Sequence, residues 1–287
     1  MTRRIFGLSA IASDYRAIMC DVWGVLHNGQ SVYRDAEDAL MRYRAAGGIV
    51  ILLTNSPRPN KGVRQQLDEL QVDSKTYDAV VTSGDVTRTL IRDARGPVYH
   101  LGPTRDLPLF EGLDKALVSA DQCETVVCTG LFEDEVEEPQ DYAEQLAKLA
   151  ARSIPFICAN PDIVVEHGDR MIYCAGSLAR LYEELGGKTL VAGKPHAPIY
   201  RLARSQLDDI AGAVVPQNDV IAIGDGMPTD VAGALGNGFD LLYISAGIHS
   251  AEYGPANNPD EQALQRFLSK NKADPTVWMP RLSWVGD

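Results

Sequence analysis

The sequence predicts an α/β fold: a doubly wound parallel sheet with helices on both faces and a smaller α/β unit inserted into it. Three observations predict it. Short apolar runs without alternation recur along the chain, as in strands buried on both faces. Stretches with apolar residues at helical spacing separate them. The strand–helix alternation itself implies parallel strands with helices packed on either side.

Residues 17–21 (AIMCD) and 49–53 (IVILL) read as the first two buried strands. Between them Ala36, Leu40, Tyr43 and Gly47 recur at helical spacing, and Gly47-Gly48 stops that helix. Val63, Leu67 and Leu70 make the next helical face. DAVVTS (78–83) follows as a strand, with a helix near Val86 and Leu90. Late in the chain TLVAG (189–193) reads as a strand, with Ile199, Ala203 and Leu207 on a helix after it. VIAIGD (220–225) is a strong buried strand, a helix begins near Asp230, and DLLYIS (240–245) is another strand.

The middle differs in detail. VYHLG (98–102), TVVCTG (125–130) and PFICAN (155–160) read as strands. Helices centre on Leu146 and Tyr182. The acidic stretch Glu133 to Glu138 reads as a solvated loop or helix start. Residues 88–187 are therefore expected to form an inserted unit, and residues 1–87 with 188–287 the main one. The chain would leave the main sheet near Gly84 and return near Thr189.

Composition bounds the function. The 287 residues suffice for one large or two ordinary domains. With 45% hydrophobic and 23% charged residues, the chain is neither disordered, collagenous nor a small disulfide scaffold. Asp and Glu outnumber Lys and Arg 39 to 27, giving a net charge of −12. That argues against nucleic acid and against anionic lipid as partners. It leaves room for a small anionic substrate, since one metal ion or lysine reverses the field locally. The five cysteines read as buried free thiols of a reducing compartment, and the histidines do not cluster with them as in a zinc site. No signal-like or membrane-spanning stretch stands out, so a cytoplasmic location is expected.

The chemistry is sought after each strand, because open α/β sheets bind ligands outside the carboxyl ends of their strands. Asp21 follows AIMC, Thr54 and Asn55 follow IVILL, Lys194 follows TLVAG, and Asp225 follows VIAIG with Asp230 five positions on. Two strand-end carboxylates can hold Mg²⁺, which prefers oxygen ligands. A lysine and a hydroxyl beside them suit a phosphoryl group. One carboxylate could instead attack phosphorus and form an aspartyl-phosphate. Taken alone, each residue has a plainer reading as a helix cap, a turn residue or a solvated lysine. Gly224, Gly226 and Gly233 do not have the spacing of a dinucleotide fingerprint. Trp278 and Trp284 read as packing or as an interface.

Taken together, the four segments resemble the four motifs of the haloacid dehalogenase (HAD) superfamily of phosphohydrolases. They are Asp21-Val22-Trp23-Gly24-Val25-Leu26-His27-Asn28-Gly29, Thr54-Asn55-Ser56, Gly193-Lys194-Pro195 and Gly224-Asp225-Gly226-Met227-Pro228-Thr229-Asp230. The insertion falls where that superfamily's class II cap lies. Asn160-Pro161-Asp162 and Ala175-Gly176-Ser177 are similar to landmarks of the subclass IIA, NagD-like, cap. The resemblance implies a HAD-like core with a cap and a Mg²⁺-dependent phosphatase acting on a small phosphorylated metabolite of the sugar or nucleotide phosphate class. It implies Asp21 as nucleophile and metal ligand, Asp225 as the second metal carboxylate, and Asp230 as support for the acidic cluster. Thr54 and the Asn55 amide region would hold phosphoryl oxygens, and Lys194 would stabilise charge on nucleophile and phosphate. It also allows a homodimer through the cap.

One position departs from the pattern. The resemblance implies an aspartate two residues after the nucleophile, as proton donor and then base, and here stands Trp23. An indole exchanges no proton near neutral pH. The Trp23 backbone carbonyl could still meet the metal. Losing a general acid–base group costs about 10²–10⁴ in rate. Three outcomes are open: a preference for good leaving groups, a substitute donor with His27 nearest in sequence, or binding without turnover in a sensing or partner role.

Overall fold

The computed structural model describes residues 2–168 and 170–285. Its strands are β1 (Arg3–Arg4), β2 (Ala17–Cys20), β3 (Ile49–Thr54), β4 (Ala79–Thr82), β5 (Val98–Leu101), β6 (Thr125–Cys128), β7 (Phe156–Cys158), β8 (Val164–His167), β9 (Arg170–Tyr173), β10 (Thr189–Val191), β11 (Val220–Gly224), β12 (Asp240–Ile244) and β13 (Val277–Met279). The α-helices are α1 (Arg34–Ala45), α2 (Asn60–Glu69), α3 (Ser83–Asp93), α4 (Ala143–Ala151), α5 (Ala175–Glu184), α6 (Ala197–Ala211), α7 (Ala232–Gly236) and α8 (Glu261–Lys270).

The larger sheet runs β1-β13-β12-β11-β2-β3-β4 and is parallel throughout. Side chains of a strand alternate between faces. Ile18 and Cys20 of β2 therefore join one apolar core with Leu40, Tyr43 and Leu67 of α1 and α2. Ala17 and Met19 join the other with Ala203, Leu207, Leu264 and Leu268 of α6 and α8. Both faces are covered, which is why these strands lack alternation in sequence. Each fully buried Leu or Ile contributes about 1.5–3 kcal/mol.

Local signals set the helices. Asp35 and Glu37 lie in the first turn of α1, and Arg42 and Arg44 in the last, each complementing the helix dipole. Thr82 and Asp85 form a reciprocal capping box at the start of α3.

The smaller sheet runs β10-β7-β6-β5, also parallel, and packs on α4 and α5. One expectation is corrected here. Thr189–Val191 pairs with Phe156–Cys158 in the smaller sheet, so the chain returns to the larger one only after residue 191. An apolar run announces a strand but not its neighbour, because pairing is decided by distant residues. The β8–β9 hairpin, β13 and α8 were not expected. The hairpin left a readable mark, since Gly168-Asp169 separates two four-residue runs rich in strand formers. Trp278 is 1% exposed in the core shared with α6 and α8, and Trp284 packs against the core on the other face, so both tryptophans serve packing. All five cysteines are buried and unpaired. No helix of the described residues is long and apolar enough to cross a membrane.

Candidate active site

The strand order reverses direction between β2 and β11, which lie side by side in the larger sheet. Such a switch point opens a crevice at the carboxyl ends of the strands. Cys20 is in register with Ile223, and the Asp21 amide donates to the Ile223 carbonyl at 2.8 Å. Asp21 and Asp225, one residue beyond each neighbourhood, thus leave the sheet side by side. Asp230 comes from the turn of π-helix Met227–Val231 that follows. Lys194 comes from the link between β10 and α6. Gly24 takes φ +81°, and a β-carbon there would lie 2.5 Å from the Asp225 Oδ2 atom, so only glycine lets this loop pass the carboxylate.

The charges are close and dry. Lys194 Nζ donates to Asp21 Oδ1 at 2.6 Å and to Asp230 Oδ1 at 2.7 Å. The three side chains are at most 8% exposed. Asp230 Oδ2 accepts from the Gly226 amide at 3.1 Å, and Asp225 Oδ2 from the Ile248 amide at 2.9 Å. Burial opposes the Lys194 charge, but Asp21, Asp230 and Asp162 outweigh it and hold the ammonium protonated. Burial, with repulsion from Asp230, pushes Asp21 well above the ordinary carboxylate range. The same two causes push Asp225 up to about 7.

This cluster fits a divalent cation. Carboxylate oxygens of Asp21, Asp225 and Asp230 all lie within 4.8 Å of one another, and one ammonium does not balance three carboxylates. Asp21 Oδ2 has no hydrogen-bond partner among the described residues, and no backbone amide among them takes the Trp23 carbonyl. An all-oxygen donor set of this kind suits Mg²⁺.

Thr54 ends β3, is 2% exposed and lines the cavity above the carboxylates. Its Oγ1 accepts from the Ser56 amide at 3.1 Å, which leaves the hydroxyl proton for a ligand. Asn55 follows Thr54, and its side chain turns toward Lys194 and Asp162. Its side chain accepts from the Lys194 amide at 2.7 Å and donates to the Lys194 carbonyl at 3.2 Å and to Asp162 Oδ1 at 3.0 Å. With both ends committed, the side chain is a clamp that positions Lys194 and ties the larger sheet to the smaller lobe.

Trp23 is half-buried and lines the cavity. Its ring meets His27 edge-on at 5.0 Å and His167 of the hairpin at 6.3 Å. His27 is 1% exposed, and its Nδ1 accepts from the Gly29 amide at 2.9 Å. Burial pushes it down to about 4, so it is neutral at physiological pH. His27 is therefore a packed turn residue, and the substitute-donor role considered from sequence finds no support.

The cavity has a volume of about 250 Å³. The larger sheet supplies its floor and the smaller lobe its roof. Sequence reasoning missed Arg58, on the wall from the loop after β3, and most of the roof: Asp106, Thr129 and the hairpin residues Glu166 and His167. The hairpin is tied down by Gly168, whose amide donates to the Asn28 carbonyl at 3.0 Å, and by the Tyr33 hydroxyl, which donates to Glu166 at 3.3 Å. The acidic stretch after Glu133 is mostly exposed, as expected, but Asp134 and Glu135 reach the cavity rim.

Known proteins share this architecture. Residues 18–115 match a family model described as haloacid dehalogenase-like hydrolase, and residues 191–267 match a HAD-hydrolase-like model. The haloacid dehalogenase-like hydrolase domain-containing protein 2 of Homo sapiens is 24% identical over 250 residues, 85% of this chain and 89% of that protein. Among solved structures, 4-nitrophenylphosphatase from Thermotoga maritima superposes with a TM-score of 0.69 at 20% identity, covering 94% of this chain and 95% of the other. NagD from E. coli K-12 gives 0.67 at 20% identity, covering 93% and 96%. At that identity the likeness is one of fold. A hydrolase of the haloacid dehalogenase-like family from Brucella suis 1330 is 47% identical, with a TM-score of 0.88, covering 98% of this chain and all of the other. A likeness of that closeness over the whole chain, including the motif segments that build the carboxylate–lysine cluster, means that this protein belongs to the haloacid dehalogenase-like hydrolase family.

Proposed function

We propose that the protein is a Mg²⁺-dependent phosphohydrolase that cleaves a small phosphorylated metabolite, of the sugar or nucleotide phosphate class, through an aspartyl-phosphate. The observation that carries this is the Asp21 carboxylate, buried at the cavity floor 2.6 Å from the Lys194 ammonium and beside two further carboxylates. Solved structures of similar fold bear the names "possible sugar phosphatase" and 4-nitrophenylphosphatase, which agrees with this chemistry.

Asp21, Asp225 and the Trp23 carbonyl would hold the metal. When bound, Mg²⁺ supplies positive charge that offsets the carboxylates and the phosphoryl oxygens. Asp21 attacks phosphorus, an Asp21 O–P bond forms, and the bond from phosphorus to the leaving oxygen breaks. Lys194 steadies the developing charge, and the Thr54 hydroxyl donates to a phosphoryl oxygen. Asp230 holds the far side of the ammonium. Water then attacks phosphorus, which releases phosphate and restores Asp21. Trp23 offers the leaving oxygen no proton, so leaving groups that depart as stable anions are favoured.

Trp23 also supports a second reading, a Mg²⁺- and phosphate-binding protein that does not turn over. Hydrolysis of p-nitrophenyl phosphate with and without Mg²⁺, and with Asp21→Asn, separates the two. That leaving group hardly needs protonation. Turnover is expected to require Mg²⁺ and to fall at least about 10³-fold in Asp21→Asn. Unchanged turnover in that variant would sink the mechanism, and a folded wild type that binds Mg²⁺ but hydrolyses nothing would favour the binding role.

A further inference from the structure

Three cationic side chains line the cavity among the described residues, and they are committed to different degrees. Lys194 holds two carboxylates at 2.6 and 2.7 Å. Arg105 is in a close ion pair with Asp134. Arg58 has only two side-chain hydrogen bonds among the described residues, and both are at the edge of hydrogen-bonding distance. Its Nε lies 3.4 Å from Asp106 Oδ1, and its Nη1 lies 3.5 Å from Gln66 Oε1. A guanidinium carries five donors in a planar fork that matches a carboxylate. Most of that fork is unspent, and the side chain is 30% exposed on the cavity wall.

The backbone beneath this arginine is fixed. The Gly84 amide at the start of α3 donates to the Ser56 carbonyl at 3.0 Å, and the Arg58 amide to Ser56 Oγ at 3.3 Å. A β-carbon at Gly84 would lie 2.2 Å from the Pro57 carbonyl oxygen, so the loop sits directly on the helix. Behind the guanidinium, Asp106 is 4% exposed at its side chain. Burial outweighs both nearby arginines and pushes its carboxyl up, and the pairing with Arg58 is long at 3.4 Å. The arrangement holds a fork at the wall without saturating it.

We propose that Arg58 is a specificity-determining residue that reads a carboxylate, or a comparable oxyanion, on the leaving-group portion of the substrate. This rests on the phosphohydrolase reading above. It narrows the substrate to phosphate esters whose alcohol carries a second negative charge. The competing feature is the acidic hairpin and rim, Glu135 and Glu166, which would attract an ammonium group instead.

The test compares 4-carboxyphenyl phosphate with its neutral isostere, 4-carbamoylphenyl phosphate, and with 4-(aminomethyl)phenyl phosphate. A hydrogen-bonded charge pair of this type is worth about 10- to 100-fold. Wild-type kcat/KM is expected to favour the carboxylate over the carboxamide by about tenfold or more, chiefly in KM. Arg58→Gln is expected to bring the ratio near one, and Arg58→Lys, which keeps charge without the fork, to leave an intermediate ratio. Thermal melting checks that each variant is folded, and Arg58→Lys carries the comparison if Arg58→Gln is not. Equal rates for the two isosteres, a preference for the ammonium ester, or a carboxylate preference that survives Arg58→Gln would each overturn the inference while leaving the phosphohydrolase intact. Failure to hydrolyse any of the three would instead remove the phosphohydrolase reading and this inference with it.

Discussion

The floor and the roof of the cavity are built by different rules. On the floor, Asp21 and Asp225 stand directly after strands, Asp230 on the π-helix that follows and Lys194 on the link before α6, all nearly dry, with charge contacts of 2.6 and 2.7 Å. On the wall and roof, Arg58 comes from the loop after β3 and Glu166 from the hairpin, both partly exposed, with contacts of 3.3 to 3.5 Å. Chemistry at phosphorus needs groups fixed to within a fraction of an ångström. Recognition of the rest of a substrate tolerates looser, solvated partners. On the proposed function, reactivity would rest with the dry charged cluster of the floor, and selectivity with the looser groups around it, Arg58 of the loop after β3 and the hairpin of the smaller lobe.

The largest test of that division is at Trp23, where floor and roof meet. Trp23→Asp is expected to raise the rate with alkyl phosphates by about 10²–10⁴ and to change p-nitrophenyl phosphate hydrolysis little. The ratio of kcat values for the two substrates reports it. The variant is also expected to melt lower, because the indole packs on His27 and His167. A ratio that stays at the wild-type value in folded protein would mean that proton delivery does not limit the reaction.

Lys194→Met probes the floor next. It leaves Asp21 and Asp230 without their shared cation, and breaking a buried pair costs about 3–5 kcal/mol. Urea unfolding in the absence of metal is expected to show that loss, with saturating Mg²⁺ returning part of it. Stability close to wild type would contradict a charge-dense floor.

The smallest effect concerns pH. His27 is held neutral, with its pKa pushed down to about 4 by burial. The unfolded chain takes up the proton near pH 6.5 and the folded one only near 4. The stability His27 contributes is therefore complete above about 6.5 and lost as pH falls toward 4, on the order of 3 kcal/mol in all. Unfolding free energies at pH 7 and 4.5 are expected to differ more in wild type than in His27→Asn, which keeps an acceptor for the Gly29 amide. Equal differences would show that His27 is accessible to protons in the folded state.

Much of the floor was legible because strand ends are local. AIMC followed by Asp21 and VIAIG followed by Asp225 each mark a strand and the residue after it, and the parallel sheet then brings those residues to one edge. Asn55 was legible as a site position but not as a clamp, because its partners Asp162 and Lys194 lie 107 and 139 residues away. Thr189–Val191 was legible as a strand but assigned to the wrong sheet for the same reason.

By itself the sequence determined the alternation of strands and helices, the strand-end carboxylates and the absence of an acid two residues after Asp21. Those features depend on hydrophobic period and on residue identity, which act over a few positions. Only the tertiary structure decided that Lys194 bridges Asp21 and Asp230, that His27 is sealed away, and that Arg58 faces the cavity with its fork unspent. These are distances and burials between residues far apart in the chain, and they are set by how the two sheets pack.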